Sequence, residues 1–249
     1  MRILLLFIIA LLFTSFNVVS LAEQRTATIE SPTKSIDKKS VYTELYNDFG
    51  LNQTVQFNAF EQAMQGLEKI DAKNKNIITI IDFTLPSTDK RMVVLDLKKK
   101  QVLFHTIVSH GRNSGEKYAT SFSNKHGSYQ SSLGFYLTEK TYFGANGYSL
   151  VLEGLEKDIN CQAKPRAVVI HGADYCSEEV IKSTGRLGRS YGCPALPREI
   201  NDAIINTIKD GTLLYIYADN KEYLSSSKII NQKDSYLAEN ENSKKNNKV

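Results

Sequence analysis

The chain is short of cysteine, and no apolar stretch in it is long enough to cross a membrane. Of its 249 residues three are cysteines, an odd number, so intramolecular disulfides cannot use them all. A densely stapled fold is thereby excluded. The apolar run Ile3 to Phe13 falls well below the about 20 residues a transmembrane helix needs. No cysteine follows it at a spacing that would take a lipid. An excess of one charge is lacking too: 31 Lys and Arg stand against 27 Asp and Glu. Part of the small surplus sits from Ser225 onward, where five lysines meet three acids. The central part is therefore near neutral, which argues against nucleic acid as the main partner. The four histidines form no close pair at metal-ligand spacing, so neither a metal site nor a cofactor is expected.

What is present begins with a leader. Met1-Arg2 is a positive start, the apolar run follows, and Ser20-Leu21-Ala22 offers small residues for cleavage. Residues 1–22 read as a signal peptide, which predicts a periplasmic or otherwise extracytoplasmic protein with no stable membrane insertion after cleavage. Residues 23–40 read as a flexible segment and 225–249 as a disordered polar tail, since neither can bury enough apolar surface to offset ordering. Between them one sizeable core is expected, with a helical extension over 41–76 packed on a domain over 77–224. No internal repeat is visible.

Phe57, Phe60, Met64, Leu67 and Ile70 recur at three- and four-residue steps, so Val41 to Ile70 is predicted helical. The period then changes. Residues 77–83, 91–97 and 102–111 are short and β-branched, as for an antiparallel meander. Residues 135–144 and 148–155 read as further strands. Residues 167–173 form an apolar run ending in His-Gly. Pro197 opens a predicted helix with Ile200, Ile204 and Ile208 on one face and Gly211 as its cap, and 212–218 is the last strand. The sum is a mostly β domain with an N-terminal helical extension. The Gly- and Ser-rich stretch 111–134 reads as loops over that scaffold.

The chemistry centres on "RSYGCPALP". Cys161 and Cys176 flank one predicted strand and are candidates for a disulfide, which leaves Cys193 unpaired. Gly192 permits unusual backbone angles and Pro194 stops a ladder, so the setting favours a reactive, accessible thiol over a structural one. A thiol nucleophile needs a base, and histidine titrates in the right range. His171 ends a predicted central strand; His110 has the same strand-end His-Gly arrangement and is a candidate substrate contact. His105 reads as structural and His126 as a solvated loop residue. Arg112, Arg186 and Arg189 lie in the Gly-rich segments around the proposed site, where a guanidinium matches a carboxylate bidentately. Tyr175 and Tyr191 are placed to line a groove.

The stretch "VVIHGADYCSEEVIKSTGRLGRSYGCPALP" resembles the L,D-transpeptidase catalytic domain (YkuD-like) family, as do "SHGRNSG", "ATSFSN" and "SSLGFYLT". The similarity runs from about Phe57 to Ala218. The resemblance implies the family's β-sandwich or barrel-like catalytic fold. It places the nucleophile at Cys193, the histidine at His171, and the flanking motif residues at Ser190 and Gly192. It further implies cysteine-dependent acyl transfer on peptidoglycan stem peptides. The thiol attacks the carbonyl at the L-centre of the third residue, a terminal D-alanine leaves, and an amine takes the acyl group to give a 3–3 cross-link. Water as acceptor would make an L,D-carboxypeptidase. Backbone N–H groups of Tyr191, Gly192 and Cys193 are candidates for facing the oxyanion. A backbone carbonyl or Asp174 is a candidate for orienting His171.

Tyr191 stands where the common family pattern has histidine, and Ala195 where it has Arg or Asn. The segment between His171 and Cys193 is also longer. Two rival readings are a papain- or NlpC-like peptidase and a wall-binding module with an inactive fold. The order of His171 before Cys193 disfavours the first, and the intact Cys193, His171, Ser190 and Gly192 disfavour the second.

Overall fold

The computed structural model of the protein describes residues 38–231. The expected signal peptide, the flexible segment up to residue 37 and the tail beyond residue 231 lie outside the described residues.

Two helices, α1 (Lys38–Asp48) and α2 (Phe57–Lys69), replace the single helical span expected over 41–70. Gly50 adopts a left-handed φ of 64°, which ends α1, and a short 3-10 turn at Leu51–Gln53 follows. The break lets Leu51 and Val55 bury their side chains, and the Tyr46 hydroxyl bridges it by donating to both of their carbonyls. Tertiary burial thus overrides a continuous helical pattern.

One eight-stranded sheet follows, built from β1 (Asn74–Asp82), β2 (Met92–Asp96), β3 (Gln101–Thr106), β4 (Gly134–Gly144), β5 (Gly147–Gly154), β6 (Val169–Gly172), β7 (Ala195–Leu196) and β8 (Thr212–Tyr217). Their order is β3-β2-β1-β8-β4-β5-β6-β7. The meander β1–β3 is antiparallel as its sequence predicts, with Ile80 opposite Val93. The last strand, β8, inserts between β1 and β4 and runs parallel to β1, with Ile80 opposite Tyr215. A parallel pair needs a long crossover; here nearly the whole domain supplies it. Every residue of β8 is buried, as expected of a strand covered on both faces. Helix α2 packs on β1 and β8; α3 (Glu178–Thr184) follows β6, and α4 (Arg198–Ile208) packs on β5, β6 and β1. Phe60 of α2 is fully buried, and Phe135 stacks on Tyr215 at 4.2 Å between ring centroids.

The two ends of the sheet approach each other. Beyond β3 the chain forms isolated bridges, Ser109 with Ala195 and Gly111 with Ser190. The β7 edge is therefore covered, which is how this fold avoids an open edge and gains its half-barrel character. The same bridges fix the loop that carries Cys193.

Residues 225–231, expected at the start of the polar tail, are ordered instead. Helices α5 (Lys221–Ser226) and α6 (Lys228–Asn231) close over the core. The Ser227 and Tyr223 hydroxyls donate to the buried Glu156 carboxylate, which also accepts the Phe135 N–H at 2.8 Å. Ile229 and Ile230 pack on the apolar core. A single buried carboxylate and two isoleucines thus order a segment whose composition alone reads as tail.

The candidate disulfide is absent: Cys161, Cys176 and Cys193 are all free thiols. Cys176 is fully buried with Ile107, Ala173, Leu187 and Ala195, and burial pushes its thiol up to about 11. Cys161 is half-buried in a different loop, where the Asn124 side-chain amide donates to its sulfur.

Candidate active site

Strand β6 is four residues long and entirely buried, and it delivers His171 near its end. Its parallel neighbour β7 sets His171 opposite Ala195, two residues beyond Cys193. The Cys193 sulfur accepts the Val169 N–H at 3.4 Å and its thiol points at the Ala167 carbonyl at 3.7 Å. Sheet pairing therefore places the cysteine turn along the entry of the histidine strand. Gly172 has a packing role here. A Cβ on it would sit 3.2 Å from the Asn201 side chain, so glycine lets α4 lie close against β6.

The turn itself is held by Ser190. Its hydroxyl donates to the Cys193 carbonyl at 2.6 Å and accepts the Gly192 N–H at 3.0 Å. Gly192 has φ 127°, and a Cβ there would lie 2.9 Å from the Gln130 carbonyl. Both the angle and the space select glycine. Ser131 ties the turn to the opposite loop, donating to the Gly192 carbonyl at 3.2 Å and accepting the Gly111 N–H at 3.0 Å. Because the Gly192 N–H is spent on Ser190, the donors left at the turn are those of Tyr191 and Cys193.

The His171 ring is buried, and its Nδ1 lies 3.1 Å from the Gly172 carbonyl. A carbonyl only accepts, so Nδ1 carries the proton and Nε2 keeps its lone pair. Burial, helped by the nearby Arg198 charge, holds the imidazole below its ordinary value. Burial also pushes the Cys193 thiol up, against the Val169 hydrogen bond and the charge of Arg166. Both shifts favour a neutral thiol beside a neutral imidazole in the resting state. No hydrogen bond joins Cys193 to His171 among the described residues. Asp174, a sequence candidate for orienting His171, pairs with Arg198 through two contacts on the surface. Among the described residues the partner that fixes the ring is the Gly172 backbone carbonyl.

The other sequence candidates separate into exposed and enclosed groups. Tyr191 is two-thirds exposed, packs against Tyr129 at 4.8 Å and carries the Arg112 guanidinium over its ring at 5.8 Å. Arg186 and Arg189 both pair with Glu116, and Arg189 also donates to the Arg112 and Gly115 carbonyls. These two brace loops rather than offering free cations. His110 is 1 % exposed, so the expectation that it contacts a ligand gives way to a structural reading. Arg91 donates to its Nδ1 at 2.7 Å, which forces the proton onto Nε2, and Nε2 faces the Gly115 carbonyl at 3.3 Å. Burial and the Arg91 charge push its pKa down to about 4.

Three residues with roles around the turn escape a reading of the sequence: Arg91, Ser131 and Arg166. Arg91 sits at a strand entry that resembles any solvated lysine-arginine turn, and Ser131 is one serine among many in its loop. Arg166, directly ahead of the apolar run "AVVIHG", was the one with a local signal.

The eight-stranded, mostly antiparallel sheet with helices at its N-terminal side is the fold of L,D-transpeptidase catalytic domains. The model of the family described as L,D-transpeptidase catalytic domain matches residues 51–217, and the chain belongs to that family. Among solved structures it is similar to an L,D-transpeptidase from Stackebrandtia nassauensis, with 11% identity and a TM-score of 0.36 over 73% of this chain and 78% of that one. It is likewise similar to an L,D-transpeptidase from Mycobacterium smegmatis (12%, TM-score 0.35, 57% and 59%) and to the helical cell-shape-determining protein of Campylobacter jejuni (15%, TM-score 0.37, 64% and 56%). The chain spans little more than half the length of the latter two. No curated protein matches it.

Proposed function

We propose that the protein is an extracytoplasmic cysteine acyltransferase acting on peptidoglycan stem peptides. The observation that carries this reading is the pairing of β6 with β7, which puts a Nδ1-protonated His171 and the Cys193 turn on one sheet edge. In the proposed reaction the Nε2 of His171 takes the thiol proton as the sulfur attacks the carbonyl at the L-centre of the third residue. The tetrahedral oxyanion is met by the N–H groups of Tyr191 and Cys193, each such donor being worth about 3 kcal/mol when preorganised. The C–N bond to D-alanine then breaks, and the imidazolium returns its proton to the leaving amine. A side-chain amine of a second stem attacks the thioester and gives its proton to His171; the C–S bond then breaks, the 3–3 cross-linked product leaves, and the imidazolium returns the proton to the Cys193 thiolate. Arg112, beside the exposed Tyr191, is the cation placed to meet a stem-peptide carboxylate. Secretion through the leader of residues 1–22 brings the enzyme to this substrate.

Muropeptide analysis with wild type and Cys193→Ala tests the reading. Wild type is expected to convert tetrapeptide stems into 3–3 dimers, with C193A inert. Tripeptides without dimers would instead assign water as the acceptor. Neither product, where a control enzyme makes them, would sink the proposal.

A further inference from the structure

Arg166 precedes β6 and is half-buried, yet among the described residues it makes no ion pair. Its four hydrogen bonds go to uncharged oxygens: Nη1 to the Ser123 carbonyl and the Ser132 hydroxyl, both at 2.7 Å, and Nη2 to the Gln130 carbonyl at 2.7 Å and the Ser128 hydroxyl at 3.3 Å. The guanidinium thus clasps the loop 123–132 while its charge stays unneutralised. It does so directly beside the nucleophile turn. A Cβ added to Gly192 would lie 3.3 Å from Nη2, and the Gln130 carbonyl that Nη2 binds is also the atom that Gly192 abuts. The cysteine sulfur, in turn, faces the Ala167 carbonyl and the Val169 N–H, the backbone just after Arg166.

We propose that Arg166 is a positioning residue of the Cys193 site, a fixed cation that favours the thiolate and holds the loop behind the turn. Half-burying a guanidinium without a carboxylate partner costs desolvation, and the cost shows as a downward pull on Arg166 itself. Such a cation is useful where a negative charge forms nearby. The acidic groups it feels are the Tyr136 hydroxyl and the Cys193 thiol. Tyr136 is fully buried, with its hydroxyl donating to the Ser132 carbonyl, and burial keeps it protonated. The thiol is the group left to respond. Other titratable groups about the turn are His171 on β6, held neutral by burial, and Tyr175 on the stretch after β6, also held neutral by burial. Neither offers a permanent charge, so Arg166 is the fixed charge that, with the Val169 hydrogen bond, works against the burial that pushes the thiol up.

The proposal rests on Cys193 being the nucleophile only for its catalytic consequence, because its test reads the thiol directly. The rate of iodoacetamide alkylation of full-length protein is measured against pH, with Cys193 quantified by peptide mapping apart from Cys161 and Cys176. Arg166→Gln is expected to move the Cys193 inflection up by roughly one pH unit, as for loss of an opposite charge at short range, with alkylation about tenfold slower below the inflection. Arg166→Lys, which keeps the charge, is expected to recover most of the shift. Ser132→Ala, which removes one clasp bond and no charge, is expected to leave the inflection in place. An unmoved inflection in folded R166Q overturns the proposal, as does a shift that R166K fails to recover. Should R166Q not fold, R166K decides alone, and an inflection raised by a full unit in it overturns the proposal. Failure of the muropeptide assay with a normal R166Q shift would instead strike the proposed reaction and leave the cation in place.

Discussion

His110 and His171 begin alike and end in opposite surroundings. Both follow a β-branched strand, both precede glycine, and both lie beside the Cys193 loop. His110 has both ring nitrogens taken inside the protein, one by the buried Arg91 and one facing the Gly115 carbonyl. His171 spends one nitrogen on the carbonyl of its own neighbour, Gly172, and keeps the other as an acceptor. The difference lies in the partners brought by distant strands. Arg91 comes from the turn before β2 and also donates twice to the Val108 carbonyl, so it splints the segment that bridges to Ser190. A histidine with a cation on one side and a carbonyl on the other is a strut. A histidine whose second nitrogen has no partner among the described residues is able to accept a proton, as the proposed reaction requires.

The largest separation between the two is expected in activity. His171→Ala should lower muropeptide turnover by about 10²-fold or more, the usual worth of a positioned acid–base group, with the melting temperature near that of wild type. His110→Ala should show the reverse, a structural loss that scales with stability. Arg91→Leu sharpens this. It leaves His110, the Val108 carbonyl and the Leu85 carbonyl without their buried donor and should cost about 3 kcal/mol in urea unfolding. A stability unchanged by R91L would remove the strut from the account.

Acid should tell the two histidines apart as well. His110 is held at about 4 in the folded protein, against about 6.5 in the unfolded chain. Between those values the unfolded chain binds the extra proton, so stability rises with pH across this window and levels off above it. The loss on acidification is expected to approach about 3 kcal/mol by pH 4, and His110→Gln should flatten most of it if the variant folds. His171, whose shift has the same sign, should add a smaller slope that H171A removes. Urea midpoints at several pH values measure both. The smallest effect is expected at Asp174→Asn. That carboxylate pairs with Arg198 on the surface and does not reach His171, so turnover should stay within a few-fold of wild type. A large loss in D174N would return Asp174 to the role of orienter.

Much of the scaffold was legible because period and composition report local preference. Seven of the eight strands overlap their expected places, although β3 ends at Thr106 rather than residue 111; β7, right after the proline expected to stop a ladder, was not expected, and the helix after Pro197 runs from Arg198 to Ile208 with Ile204 and Ile208 buried. Burial of Leu51 and Val55 split the expected N-terminal helix, and the Glu156 contacts of Ser227 and Tyr223 extended the order past residue 225. Neither is encoded in any window of neighbouring residues. The same holds for the cysteines. Counting them suggested Cys161 with Cys176, but one is buried with Ile107, Ala173, Leu187 and Ala195 and the other sits in a loop with Asn124.

By itself the sequence determined that the chain builds one mostly β domain behind a helical N-terminal extension, and that His171, Ser190, Gly192 and Cys193 are the residues to watch. The domain follows from side-chain chemistry and short-range spacing, and the four residues from the resemblance to the L,D-transpeptidase catalytic domain family. Only the tertiary structure decided which strand-end histidine keeps a free nitrogen, which arginines are tied to Glu116, and that Arg166 stands unneutralised behind the cysteine. Each of these depends on groups far apart in the chain meeting in a place where water is excluded, and there the partner, more than the residue, sets the charge and the role.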